Sequence, residues 1–197
     1  MKRLAAIILF ISSIVFAEPF SHNGLFANAA MGVGYASFEN ADGKVSLTAE
    51  GFGMRLHGKM GYFVVQDLAL HANLGYVMYS DFQESRMGLP TYMDHDFYVV
   101  SSVYLGAGAT YYFPSFGNMF VGGSLGFTGY RLNCRKMSGN TGLKAFSFNL
   151  DAGKEWWVSE HFGLGVSLAY DSGEYWSDDD GVFRSSAFML MFSVSFN

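Results

Sequence analysis

The sequence predicts an all-β fold, an eight-stranded antiparallel up-and-down transmembrane barrel whose bulky side chains face outward. Three features predict it: eight segments alternate in hydrophobicity with period two, the connections between them alternate short and long, and the composition lacks the charge to coat a surface in water. Of 197 residues, 15% are charged and 18% aromatic, where ordinary globular domains carry about 25% charged residues.

The segments follow one rule. In the first, Leu25, Ala29, Met31, Val33 and Tyr35 oppose Asn28, Ala30, Gly32 and Gly34; in the second, Phe52, Met54, Leu56, Met60 and Tyr62 oppose Gly51, Gly53, Arg55, His57 and Lys59. Leu68, Leu70, Leu74, Tyr76 and Met78 then face away from Ala69, His71, Asn73 and Gly75. Val99, Val103, Leu105, Ala107 and Ala109 alternate with Ser102, Tyr104, Gly106, Gly108 and Thr110. The fifth segment sets Val121, Gly123, Leu125 and Phe127 against Gly122, Ser124, Gly126 and Thr128, and the sixth sets Phe146, Phe148, Leu150 and Ala152 against Ala145, Ser147, Asn149, Asp151 and Gly153. The seventh places Phe162, Leu164, Val166, Leu168 and Tyr170 opposite Gly163, Gly165, Ser167, Ala169 and Asp171, and in the eighth every even position from Phe188 to Phe196 is large and apolar.

Tight turns fall at Val65 to Asp67, Pro114 to Asn118 and Val158 to Glu160; longer polar connections fall at Glu39 to Ser46, Asp81 to His95, Asn133 to Gly142 and Ser177 to Gly181. In an up-and-down meander this puts the tight turns at one end and four loops at the other. A soluble ligand carrier would turn the bulky face inward, but the opposite face consists mostly of Gly, Ala, Ser, Thr and Asn. Small side chains suit the narrow bore of eight strands, and a ring of exposed Phe and Leu is favourable in lipid, where only a closed sheet satisfies every backbone polar group. Two aromatic girdles are expected: Tyr62, Phe63, Tyr111, Phe113, Trp156 and Phe162 near the turns, and Tyr35, Tyr76, Tyr170, Tyr175 and Trp176 near the loops.

The chain opens Met1-Lys2-Arg3, runs apolar from Leu4 to Phe16 apart from Ser12 and Ser13, and reaches Ala17 before Glu18. Residues 1–17 therefore read as a cleaved secretory signal peptide and 18–197 as one barrel domain, because the apolar run is shorter than the ~20 residues of a spanning helix. Cys134 is the one cysteine, so no internal disulfide forms, and a net charge of −5 without a basic cluster excludes nucleic acid as a partner.

Signal peptide, eight strands, alternating loops and the aromatic tail together resemble small bacterial outer-membrane β-barrel proteins of the outer-membrane protein A and X type. The resemblance covers the whole mature chain. It implies a monomer in the outer membrane of a Gram-negative cell, in contact with outer-membrane lipid and lipopolysaccharide. It also implies a terminal aromatic residue read by the barrel assembly machinery; here Phe196 is penultimate and Asn197 follows.

Parity directs Arg55, Lys59, Asp151, Glu155 and Asp171 into the lumen, where opposite charges are expected to pair and plug it, since an unpaired buried charge costs several kcal/mol. Arg131, Lys144 and Arg184 have outward parity at the loop ends of their strands. They are candidates for the phosphates of lipopolysaccharide, with unspecific snorkelling as the alternative. No catalytic, cofactor or metal site is expected. The lipid A deacylases among outer-membrane barrels carry His-x-Ser on a strand, and no histidine here has serine two positions on. Asp94-His95-Asp96 and Asp178 to Asp180 match no complete calcium loop, and Gly32-x-Gly34 opens no helix. The expected function is non-enzymatic: envelope integrity or surface interaction through four extracellular loops, whose partner stays open. A small-ligand channel or a lipid A-modifying enzyme is the alternative, and a soluble ligand-binding barrel the third.

Overall fold

The computed structural model describes residues 22–41, 46–86, 99–133, 142–177 and 181–196. The expected signal peptide, Asp94 to Asp96, Cys134 and Asp178 to Asp180 lie outside the described residues. Eight strands form one closed barrel in sequence order: β1 (Gly24–Ala41), β2 (Ser46–Val65), β3 (Leu68–Arg86), β4 (Val99–Phe113), β5 (Met119–Asn133), β6 (Gly142–Trp157), β7 (Phe162–Ser177) and β8 (Gly181–Phe196). All neighbours are antiparallel, and β1 closes on β8 from Ala27 opposite Phe196 to Asn40 opposite Phe183. Closure pairs the ladder groups of every strand, which a lone sheet edge in hydrocarbon could not do.

Backbone geometry fits the tight turns. Asp67 takes φ 65 between β2 and β3, and Gly117 and Asn118 take φ 69 and φ 62 after a 3₁₀ turn at Pro114–Phe116, the left-handed conformation that Gly, Asn and Asp tolerate best. At the loop end the strands run further than the alternation indicates. β1 reaches Ala41, and β3 continues through Arg86 across an irregularity opposite Glu50 to Phe52, so Asp81 to Arg86 belong to a strand and not to a loop. Pairing of the backbone continues where hydrophobic alternation no longer marks it, because beyond a bilayer the outer face has no reason to be apolar.

The bulky face is outside. Phe52, Phe127, Leu168 and Phe188 are each 67–68% exposed, while Met189 and Met191, between the outward residues of β8, are 1% and 2% exposed. Toward the loop end polar outward positions follow, as with Glu50 on β2, Arg131 on β5, and Ser172 and Glu174 on β7. On β1 the run from Leu25 to Tyr35 spans about 33 Å at ~3.3 Å per residue. At a tilt of ~40° that is about 25 Å of height, the thickness of an outer-membrane apolar band.

Candidate functional site

The lumen is filled in layers. At the tight-turn end Phe26, Phe63, Tyr112, Phe120 and Trp157 point inward and are buried. The segment before β1 closes the mouth. His22 is 0% exposed, stacks on Tyr112 with centroids 3.8 Å apart, lies 4.8 Å from the Trp157 ring, and donates from Nε2 to Asn118 Oδ1 at 2.9 Å. Backbone bonds stitch the plug to the turns, from Asp67 N to His22 O at 3.2 Å and from Tyr112 N to Asp67 O at 2.9 Å. Phe63, expected in the outer girdle, belongs to this plug: it is 4% exposed, and the ladder irregularity between Phe63 and Val65 marks where β2 leaves its regular register.

Above the plug lies the polar layer. Lys59 Nζ donates to both Asp151 carboxylate oxygens at 2.8 Å, linking β2 to β6 across the bore, and reaches Thr110 Oγ1 at 3.5 Å. Thr110 continues to His71 Nε2 at 2.8 Å, and His71 Nδ1 lies 2.7 Å from Asn73 Oδ1. Because an amide oxygen only accepts, Nδ1 carries the proton and Nε2 accepts from the Thr110 hydroxyl. Arg55 pairs with Asp171, which also accepts from Asn149 Nδ2 at 2.6 Å. Glu155, 1% exposed, accepts from Ser195 and from the Tyr112 hydroxyl. The five charged lumen residues thus divide into two ion pairs and one carboxylate held by hydroxyls.

Higher still, Tyr104 bonds Ser124 at 2.8 Å and Tyr130 bonds Ser185 at 2.6 Å. Met189 and Met191 lie over Gly34 and Gly32, their ladder partners on β1, where an added Cβ would collide first with the backbone carbonyl oxygens of Phe188 and Leu190 and next with the methionine sulfurs. The Gly32-x-Gly34 pattern therefore serves the close approach of β1 to the β8 backbone and the packing of the two methionines on it. Among the described residues, cavities of about 20 Å³ beside Lys59 and His57 and about 30 Å³ beside Arg55 and Tyr104 lie between the layers, each of the order of a single water.

Thr110, His71 and Asn73 have the order of hydroxyl, imidazole and orienting amide that nucleophilic catalysis uses. All three are at most 5% exposed, and the cavity beside Thr110 has no room for a substrate. Their bonds hold β3 to β4. Among the described residues no three His, Cys, Asp or Glu side chains converge as metal ligands.

On the outer wall, Arg131 is exposed at the loop end of β5, and Lys144 stands on the neighbouring strand opposite Gly129, its side chain outside the described residues. Arg184 is elsewhere, on β8, where its Nε donates to Glu174 Oε2 at 3.3 Å and its ladder partner on β1 is Glu39. Phe196 faces outward at the tight-turn end and meets Phe162 edge-on, centroids 5.4 Å apart.

No family model matches this sequence, and no curated protein matches it. Solved structures do share the fold. Neisserial surface protein A aligns with 89% of this chain and 97% of its own at 16% identity and a TM-score of 0.56. Ail, the attachment invasion locus protein of Yersinia pestis, aligns at 14% identity over 89% of this chain and 100% of its own, with a TM-score of 0.48. The outer membrane protein OprG from Pseudomonas aeruginosa aligns at 12% identity over 89% and 96%, with a TM-score of 0.46. This chain has the fold of the small outer-membrane barrels. At 16% identity the likeness is one of fold.

Proposed function

We propose that this chain is an integral protein of a bacterial outer membrane, exported by a signal peptide at residues 1–17 and inserted as a filled, non-enzymatic barrel. It serves envelope integrity or surface interaction through the four loops that follow β1, β3, β5 and β7. The observation that carries this reading is the opposition of its two faces: an outer wall of half-exposed Leu, Val, Met and Phe, and a bore packed with ion pairs, hydroxyls and rings down to cavities of about 20 and 30 Å³. Such a wall is stable only in lipid, and such a bore favours neither conduction nor catalysis. Long strands that project past the band support loops suited to contact on a rigid scaffold.

Arg131 and Lys144, neighbours across β5 and β6, take lipopolysaccharide phosphates in this reading. Arg184 contributes less, because Glu174 already occupies its guanidinium. Phe196 serves the assembly machinery as the outward aromatic of the last strand.

The deciding experiment is a gel of unheated and heated membrane fractions: a compact, detergent-resistant band that shifts on heating supports the barrel, and recovery in the soluble periplasmic fraction overturns it. Single-channel recording and lipid A mass analysis after overexpression test the filled bore and the absence of lipid chemistry. Steady conductance or a changed lipid A would refute the corresponding part. Unchanged lipopolysaccharide co-purification after Arg131→Gln and Lys144→Gln would remove the phosphate contact.

A further inference from the structure

We propose that the outer wall carries a binding site for one anionic phospholipid at the tight-turn end, built from Lys154 and the groove beside it. Lys154 has outward parity on β6 yet lies level with the turn before β5: its ladder partners are Met119 and Val166. Its ammonium rests 5.7 Å from the centroid of the Trp156 ring and against Gly117, where an added Cβ would meet Nζ at 3.0 Å. The left-handed Gly117 therefore does two things at once: it makes the turn and leaves room for the cation. Lys154 forms no ion pair among the described residues, so the ring positions its charge without neutralising it.

Directly beside it the wall is hollow. A groove of about 730 Å³ crosses β6, β7, β8 and β1 and reaches Leu56 on β2; its lining includes Ala29, Met31, Trp156, Leu164, Val166 and Phe192, with Ala29 the small residue among them. Trp156 and Val166 link the two halves, because Trp156 carries the cation and lines the groove, and Val166 pairs with Lys154 and lines it too. A positive head at the membrane surface and an apolar slot running away from it complement a lipid: phosphate on Lys154, acyl chain along Ala29. A second groove of about 820 Å³, lined by Met60, Leu70, Ala72, Ala107 and Leu125 among others, has no lysine, arginine or carboxylate in its lining. It serves as an internal control.

This inference rests on the membrane reading above, and the test separates the two. In a Trp157→Phe, Trp176→Phe background, the fluorescence of Trp156 is measured in bilayers containing brominated phosphatidylcholine or brominated phosphatidylglycerol. Quenching by both lipids reports insertion. A preference for phosphatidylglycerol of about fivefold, the weight of one lysine near an anionic surface, reports the site. Lys154→Gln is expected to abolish the preference, Lys154→Arg to keep it, and Ala29→Phe to reduce it by filling the slot. Equal quenching by the two lipids in the parent, or a preference that survives Lys154→Gln, overturns the proposal while leaving insertion intact. Absence of quenching by either lipid, as when a second copy of the chain covers the groove, overturns it as well. Native mass spectrometry of the unsubstituted chain, scoring retained phosphatidylglycerol against Lys154→Gln and against Leu70→Phe in the control groove, needs no tryptophan replacement. Loss is expected with Lys154→Gln alone.

Discussion

Two ion pairs of this barrel place the same chemistry in two media. Lys59 and Asp151 meet at 2.8 Å inside the bore with their side chains 6% and 9% exposed, whereas Arg184 and Glu174 meet at 3.3 Å on the outer wall, 61% and 39% exposed. The inner pair spans the lumen from β2 to β6 and holds opposite walls together; the outer pair joins ladder neighbours that the backbone already holds. A buried pair is costly to break from one side because the survivor is left charged in a poor dielectric. An exposed pair trades one solvated state for another. Position, more than charge, decides what each contributes.

That contrast can be broken in stages. Lys59→Met alone is expected to cost about 3–5 kcal/mol of stability in urea unfolding from lipid, and pairing it with Asp151→Leu is expected to recover most of the loss. If the double variant is as weak as the single one, the pair is not what holds the bore. Next in size, Leu125→Arg puts an uncompensated charge in the middle of the band, at a residue 59% exposed, and should cost about 2–4 kcal/mol. The same substitution in a soluble barrel would be harmless. Ser195→Ala removes a hydroxyl from buried Glu155 and should cost about 1.5–3 kcal/mol, seen as a lower temperature for the heat-modifiable gel shift. The smallest effect belongs to Arg184→Gln: no more than about 1 kcal/mol, shrinking further in high salt.

Much of this was legible before any coordinates. Alternation put Met189 and Met191 inside and Phe188, Leu190 and Phe192 outside, because period two allows a strand only two faces. The plug at the tight-turn end was not legible. Tyr112 shares the inward parity of Thr110, but Phe26, Phe63, Phe120 and Trp157 are as bulky as girdle residues, and their inward direction departs from the rule that small residues line the bore. His22 gave no signal at all: it precedes the first strand, and its place depends on Tyr112, Asn118 and Trp157, far along the chain. The continuation of β3 to Arg86 was hidden for a different reason, since backbone pairing outside lipid imposes no pattern on side chains.

By itself the sequence determined the number of strands, their order, and the parity that sends Arg55, Lys59, Asp151, Glu155 and Asp171 into the bore, because each follows from a local repeat and from short turns. Only the tertiary structure decided that Lys59 meets Asp151, that Arg55 meets Asp171, and that Glu155 is held by Ser195 and Tyr112. Parity assigns a side chain to the lumen but says nothing of its height. Height is set by the stagger of strands around the closed barrel, and that stagger exists only once β1 has found β8.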